Sequence, residues 1–301
     1  MKIGLIGLGN IGVHFGTRLI AAGYELVVHD KNPTAQQRMA DKGAQVASSA
    51  CELASMVEVV LLCLPMPGIV KDVAIGAGNV IDGSKVRLVL DLSTTGPSLT
   101  GEIAQVLEKR GVAFVSAPVS GGTVAAEKGT LAVMAAGAKV AYEEIEPLLR
   151  VLGKNIFYIG ADPTLGQTMK IINNTLYATS MVASCEALVY GVKAGLDAKM
   201  MLDVLNVSSG RSFATLERIP QCVLDRGFPL RFTTELLHKD IKMCIDEAEK
   251  IGAAMMVSPA ARQFLAFAIT QGDGPYDNVF PIRHFENWAG VQVGSKPDTS
   301  T

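Results

Sequence analysis

Lys170 and Asn174 stand four residues apart in the run Gly166-Gln-Thr-Met-Lys170-Ile-Ile-Asn173-Asn174, near the middle of a 301-residue chain. On a helix this spacing puts both side chains on one face, and Gly166 one turn earlier leaves room above them. An ammonium can give up or take a proton, and a carboxamide can donate a hydrogen bond to an anion. Taken alone, the same residues also describe a solvated lysine beside a polar helix start, because charged side chains mostly face water. Motifs elsewhere in the chain decide between the two readings.

The first such motif is at the N-terminus. Lys2 to Gly7 reads as a short apolar strand, followed by Gly7-Leu-Gly9-Asn10-Ile11-Gly12 and a helical pattern through Ala22 that Gly23 closes. A second strand, Glu25 to His29, ends in Asp30, where an acid would meet an adenosine ribose. A glycine run alone is a weak signal. Between a strand and a helix, with the acid in place, it points to dinucleotide binding. Gly7 permits the tight turn, Gly9 lets backbone approach a pyrophosphate, Gly12 allows close helix packing, and helix N-terminal amides hold the phosphates. Methyltransferases share a similar turn, usually with different flanks, and the later motifs disfavour them.

Composition narrows the class. Hydrophobic residues make up 49% of the chain, charged residues 19%, and the net charge is -2, which argues against both disorder and nucleic-acid binding. The longest nearly apolar run, Val59 to Val70, is broken by Pro65 and Pro67 and falls short of the roughly 20 residues of a spanning helix, so no membrane span is expected. The N-terminal stretch lacks a signal peptide's apolar core and cleavage site and belongs to the fold. Cys51, Cys63, Cys185, Cys222 and Cys244 are odd in number and widely spaced, which fits reduced thiols in a cytoplasm. His14, His29, His238 and His284 show no metal-ligand spacing, and no metal is expected.

These residues need elements to position them. Val57 to Leu64, Leu88 to Asp91 and Ala113 to Val115 read as buried strands separated by helices such as Ser98 to Arg110, which predicts an α/β domain with a parallel, doubly wound sheet. Ligands of such sheets bind beyond the carboxyl ends of the strands, where Leu64-Pro65, Ser93-Thr94-Thr95 and Ser120-Gly121-Gly122 fall, so three loops are expected to converge on one crevice. Strands at Thr130 to Ala136 and Asn155 to Ile159, around a helix near Val140 to Leu152, complete a first domain over 1–163, with the boundary at Gly160 to Pro163.

Residues 164–301 read as all-helical. A long helix runs to Ala194 with Gly195 as its cap; Asp197 caps a helix ending near Asn206; others span Thr233 to Gly252 and Ser258 to Gln271, before the turn Gly272-Asp273-Gly274-Pro275. The long helix carries Ala178, Ser180, Ala183, Ser184, Ala187 and Gly191, which let neighbours approach closely; it is too apolar for one solvated rod, and a homodimer or homotetramer is expected. Pro275 to Trp288 is aromatic-rich and is read as packing on a partner subunit, while residues after Gly290 lack periodicity and are expected to fray. Arg211 offers a possible second anion contact, but a surface arginine is the simpler reading and it stays outside the catalytic set.

Together, Gly7-Leu-Gly9-Asn10-Ile11-Gly12, Asp91-Leu-Ser93-Thr94, Pro118-Val-Ser120-Gly121-Gly122, Gly166-Gln-Thr-Met-Lys170-Ile-Ile-Asn173-Asn174 and Lys239-Asp240 resemble, in order, the motifs of the β-hydroxyacid dehydrogenase family. That family includes 3-hydroxyisobutyrate dehydrogenases, tartronate semialdehyde reductases and, more distantly, 6-phosphogluconate dehydrogenase. The resemblance implies a Rossmann domain followed by a helical domain, and NAD, with NADP possible, as the cofactor. It implies that Lys170 is the catalytic acid/base, that Ser120, Gly121, Gly122 and Asn174 hold the substrate, and that Leu64, Pro65, Thr94 and Lys239 lie near the cofactor. Oxidising a 3-hydroxy acid takes a hydride acceptor and a base for the hydroxyl proton, and Lys170 can be that base. A Ser-Gly-Gly turn offers a hydroxyl and open amides to a carboxylate. The competing readings are an imine reductase and a catalytically silent dinucleotide-binding module. Among substrates, 3-hydroxyisobutyrate, glycerate with tartronate semialdehyde, serine, threonate and four-carbon semialdehydes all fit.

Overall fold

A computed structural model describes residues 2–294. The chain forms two compact units, the first ending at Lys170 and the second starting at Ile171.

In the first unit, β1 (Lys2–Ile6), α1 (Gly12–Ala21), β2 (Glu25–His29), α2 (Pro33–Ala40), β3 (Gln45–Val46), α3 (Ala50–Met56), β4 (Val59–Leu62), α4 (Pro67–Ile75), β5 (Leu88–Asp91), α5 (Pro97–Lys109) and β6 (Ala113–Ser116) alternate as expected. The chain goes on through β7 (Val119–Ser120), α6 (Gly122–Lys128), β8 (Leu131–Gly137), α7 (Lys139–Leu152) and β9 (Gly153–Gly160). The order β3-β2-β1-β4-β5-β6-β8-β7, with β9 on β8, reverses direction between β1 and β4, as in a doubly wound sheet. Apolar residues occupy both faces because strand side chains alternate. Ile3, Leu5, Val59, Leu61, Leu88 and Leu90 join one core cluster, while Ile6, Val60, Leu62 and Val89 join the other. Each fully buried leucine contributes about 1.5–3 kcal/mol.

The strands from β2 to β6 are parallel, as expected, and the sheet continues into a mixed edge: β8 runs antiparallel to β6 and β7. The connection carrying α6 is shorter than the dozen or so residues a parallel crossover takes, so the chain turns straight back. β6 and β7 lie in succession along β8, where Met134 N donates to the Pro118 carbonyl between them (3.0 Å). Pro118 has no N–H to give back, which is why the strand is interrupted there.

The second unit holds most of α8 (Thr164–Lys193), then α9 (Ala198–Asn206), a π-helical turn over Ala214–Arg218, α10 (Ile219–Cys222), α11 (Thr234–Lys250), α12 (Ser258–Thr270) and α13 (Ile282–Ala289). Ala178, Met181, Val182, Cys185, Leu188 and Val189 bury one helical stripe of α8 against Leu202, Ile219, Leu237, Ile241 and Leu265. Asp197 accepts from Met200 N (2.8 Å) and Thr233 from Leu236 N (3.2 Å), capping α9 and α11 at a gain of about 1 kcal/mol each. Pro220 lacks the N–H that would close an ordinary turn, and the widened turn lies just before it.

Residues 291–294 do not fray. Val293 is fully buried, its amide donates to Glu286 (2.8 Å), and its carbonyl accepts from Arg226 (3.0 Å). Beyond them, the expected fraying falls outside the described residues. Within 275–288, Asp277, Asn278, Val279, Ile282 and Glu286 are buried in their own unit, whereas Tyr276 and Trp288 are exposed. Among the described residues no helix is long and apolar enough to cross a membrane.

Candidate active site

The glycine turn between β1 and α1 is built as its spacing requires. Gly7 has φ +97°, a conformation other residues avoid, and a Cβ there would sit 2.2 Å from the Cys63 carbonyl. A Cβ on Gly12 would sit 1.9 Å from the Gly7 carbonyl, whereas one on Gly9 would meet nothing within 4 Å. Gly7 and Gly12 are therefore packing glycines, and Gly9 faces open space. The first turn of α1, entered through Asn10 and Ile11, has no side-chain cap. Asp30 clamps the turn: its carboxylate accepts from Leu8 N (2.6 Å) and Asn32 N (2.7 Å), and each oxygen keeps a further lone pair for a hydroxyl. An open glycine, an uncapped helix start and a fixed acid fit a dinucleotide.

The loops after β4 and β5 are tied together by Ser93, whose Oγ accepts from Leu64 N (2.9 Å), with Pro65 following, exposed. Buried Asp91 fixes the second loop around Thr94, accepting from Ser93 N (2.9 Å) and Thr95 Oγ1 (2.6 Å). Gln167, fully buried on α8, then joins that loop to the end of β6: its Oε1 accepts from Thr95 N (2.9 Å) and Gly96 N (3.2 Å), and its Nε2 donates to Ser93 O (3.0 Å) and Ser116 Oγ (3.1 Å). Gly166 packs α8 onto β8, since a Cβ there would lie 2.6 Å from the Met134 carbonyl. The room expected above the helix at Gly166 is thus filled by the β8 and β6 backbone, and the glycine serves close packing instead. Ser120 ends β7, paired with Ala132; Gly121 (φ +133°) and Gly122 (φ +68°) are exposed, and a Cβ on Gly122 would meet nothing.

Lys170 and Asn174 lie one turn apart on α8, only 8% and 6% exposed, which removes the solvated-lysine reading. Asn174 is oriented at both ends: its Nδ2 donates to Asp240 Oδ2 (2.6 Å), and its Oδ1 accepts from Asn173 Nδ2 (3.1 Å). Asp240, buried on α11, also ion-pairs with its neighbour Lys239 (3.0 Å). Arg211, Lys31 and Arg38 are all exposed.

Gln167, Asp91 and Asp240 were not singled out from the sequence, although all three stand inside quoted motifs. Their only sequence signal is a polar side chain in an otherwise apolar or small-residue context.

Residues 2–160 match the family model described as the NAD binding domain of 6-phosphogluconate dehydrogenase, and residues 164–285 match the NAD-binding domain of NADP-dependent 3-hydroxyisobutyrate dehydrogenase. The chain is 33% identical to 2-(hydroxymethyl)glutarate dehydrogenase from Eubacterium barkeri over 97% of each chain. It is similar in structure to the 3-hydroxyisobutyrate dehydrogenase of Mycobacterium tuberculosis solved with L-serine, at 28% identity and a TM-score of 0.86, covering 94% of this chain and 98% of that one. An imine reductase from Streptomyces aurantiacus shares the fold at 17% identity and a TM-score of 0.64, covering 94% and 99%. With its glycine turn, ordered loops and buried Lys170 all in family sequence, this chain belongs to the β-hydroxyacid dehydrogenases, NAD(P)-dependent oxidoreductases of hydroxy acids.

Proposed function

We propose that the chain interconverts a small 3-hydroxy acid and its semialdehyde, with Lys170 as the acid/base. The observation that carries this is the burial of Lys170 one turn before Asn174, whose amide is locked in place by Asp240. A lysine kept only for solubility would not be buried. Gly7, Gly9, Asn10, Ile11, Gly12 and Asp30 would hold the dinucleotide, with Leu64, Pro65, Thr94 and Lys239 near it. When bound, the nicotinamide accepts or donates the hydride. Ser120, Gly121, Gly122 and Asn174 hold the substrate carboxylate. Lys170 removes the hydroxyl proton in oxidation and returns it in reduction.

Names borne by relatives point the same way, since hydroxymethylglutarate and L-serine both join a hydroxymethyl group to a carboxylate-bearing frame. The imine-reductase reading has likeness of fold alone on its side. A division into a dinucleotide-binding domain over 1–163 and a substrate domain over 164–301 goes with this reading. So does a cytoplasmic homo-oligomer: all five cysteines are free, and Met200 and Val204 on α9, with Leu196 before it and Val207 at its end, leave apolar side chains open. The test is turnover on a panel of 3-hydroxy acids, semialdehydes and cyclic imines with NAD and NADP, followed by the absorbance of the reduced cofactor. Turnover confined to imines, or none on any hydroxy acid, overturns the reading.

A further inference from the structure

The second unit contains a polar circuit that the hydroxy-acid chemistry leaves unexplained. Tyr177 follows Asn174 by three residues on α8, so both lie on the same side of the helix. Its hydroxyl donates to Asn278 Oδ1 (2.6 Å), and Asn278 Nδ2 donates in turn to the Phe232 carbonyl (2.7 Å). Asn278 N reaches the same carbonyl (3.0 Å). Beside it Asp277, 1% exposed, accepts from Arg231 N (2.9 Å), Phe232 N (3.3 Å) and Val279 N (3.2 Å) while taking both its oxygens to Arg218 Nη2 (2.7 and 2.8 Å). Thr234 N pairs with the Tyr276 carbonyl (2.9 Å), and Thr233 caps α11. Two turns along α11 comes Asp240, bonded back to Asn174. The circuit is closed: Asn174, Tyr177, Asn278, Phe232, the capped start of α11, Asp240, Asn174.

Such a network is more than filler. Arg218, Asp277 and Asn278 are charged or polar groups in a helical core, where each costs free energy unless fully bonded. An apolar core would have been cheaper, and the bonds converge on a single strap, Arg231 to Thr234, that leads into α11. Just before it, Arg226 and Phe228 have positive φ, +59° and +44°, held by the Arg226 pair with Glu286 and by the edge-on contact of Phe228 with Phe280. A strained approach and a stitched strap together leave α11 one seating on α8.

We propose that Asn278, bridging the Tyr177 hydroxyl and the Phe232 carbonyl, is a positioning residue that sets the register of α11 on α8 and thereby the orientation of Asn174 towards the substrate. The assignment rests on the hydroxy-acid reading above. It explains why the strap is tied from three sides and why Asn174 and Tyr177 share a helix face.

Tyr177→Phe removes one hydroxyl and keeps the ring against Phe213, 5.7 Å away edge-on. The expected result is a KM for the hydroxy acid raised about tenfold, with the dissociation constant for NAD changed by less than about twofold, and amide exchange of Phe232 to Leu236 faster by about tenfold. Should that variant not fold, Asn278→Ala removes both the acceptor for the tyrosine and the donor to Phe232 without adding a buried charge, and the same pattern of results is expected. Unchanged KM and unchanged exchange in the folded variant overturn the proposal, even if the melting temperature falls. A wild-type protein that binds NAD yet turns over no hydroxy acid sinks the functional reading instead. The exchange rates then decide the circuit on their own.

Discussion

Asn174 Nδ2 donates to Asp240 Oδ2 across 2.6 Å, and both residues are buried. This bond decides which end of the carboxamide is which, because a carboxylate accepts and never donates when ionised. In the proposed scheme Asp240 is therefore a positioning residue, acting on the substrate through Asn174. Asp240→Ala should lower kcat/KM for the hydroxy acid by about 10- to 150-fold, the loss of about 1.5–3 kcal/mol expected for a hydrogen bond to a charged group. Steady-state kinetics on the folded variant checks this; wild-type values would mean that Asn174 needs no such partner.

Lys170→Ala should abolish turnover and leave NAD binding nearly intact, since the group moves a proton and touches no phosphate in the proposed scheme. Kinetics and cofactor titration on the same preparation separate the two effects. A variant keeping most of its kcat would remove Lys170 from the role of base.

The frame of this arrangement was legible in the sequence for a simple reason. Glycine turns, strand alternation and caps are local, and Gly7, Asp197 and Thr233 do what their types and neighbours dictate. Ser120, Lys170 and Asn174 could be picked out because they stand in ordered motifs. What stayed hidden is long-range. Gln167 bonds to residues more than fifty positions away, and Asp277 to Arg218 across 59; nothing in the neighbouring residues announces either partner. The direction of β8 is not legible either, because an apolar strand reads the same in both directions.

Gln167 offers a test of that hidden layer. Gln167→Leu would leave Thr95 N, Gly96 N, Ser93 O and Ser116 Oγ without their buried partner, and each such group costs about 1–3 kcal/mol. The melting temperature should fall by roughly 5 °C or more on a chain of this size, and the KM for cofactor should rise as the loop carrying Thr94 loosens. Unaltered melting would show that water replaces the glutamine.

The cysteines set an alkaline limit. Burial pushes the Cys185 thiol above its ordinary value of 9.0, with the Glu286 and Glu186 carboxylates adding to it. Burial likewise pushes Cys63 up to about 12, with a smaller push from Asp91. In the unfolded chain these thiols ionise from about pH 9, so above that pH the unfolded state has shed protons that the folded state keeps. Stability should therefore be unaffected by these groups below pH 9 and fall as pH rises past it, by up to about 1.4 kcal/mol per pH unit for each thiol. Denaturant midpoints at pH 8 and pH 10 measure the fall. Cys185 in the native protein should resist alkylation at pH 8 and react once the chain is unfolded.

In the proposed scheme, cofactor choice turns on Asp30. Its carboxylate is held by the amides of Leu8 and Asn32, so it cannot swing away from an approaching 2′-phosphate. Two like charges at 4 Å in a partly wet crevice repel by about 4 kcal/mol at an effective dielectric of 20, and even a third of that is a tenfold preference. Lys31 and Arg38 are exposed and free to move towards a phosphate, but such long, solvated side chains recover only about 1 kcal/mol. We therefore expect kcat/KM to be higher with NAD than with NADP. Asp30→Asn removes the charge while its side-chain oxygen can still accept from Leu8 N, and it should narrow the ratio by about tenfold without unfolding the turn. A wild-type preference for NADP would mean that Lys31 or Arg38 outweighs the acid, and Lys31→Ala and Arg38→Ala, made separately, would show which one.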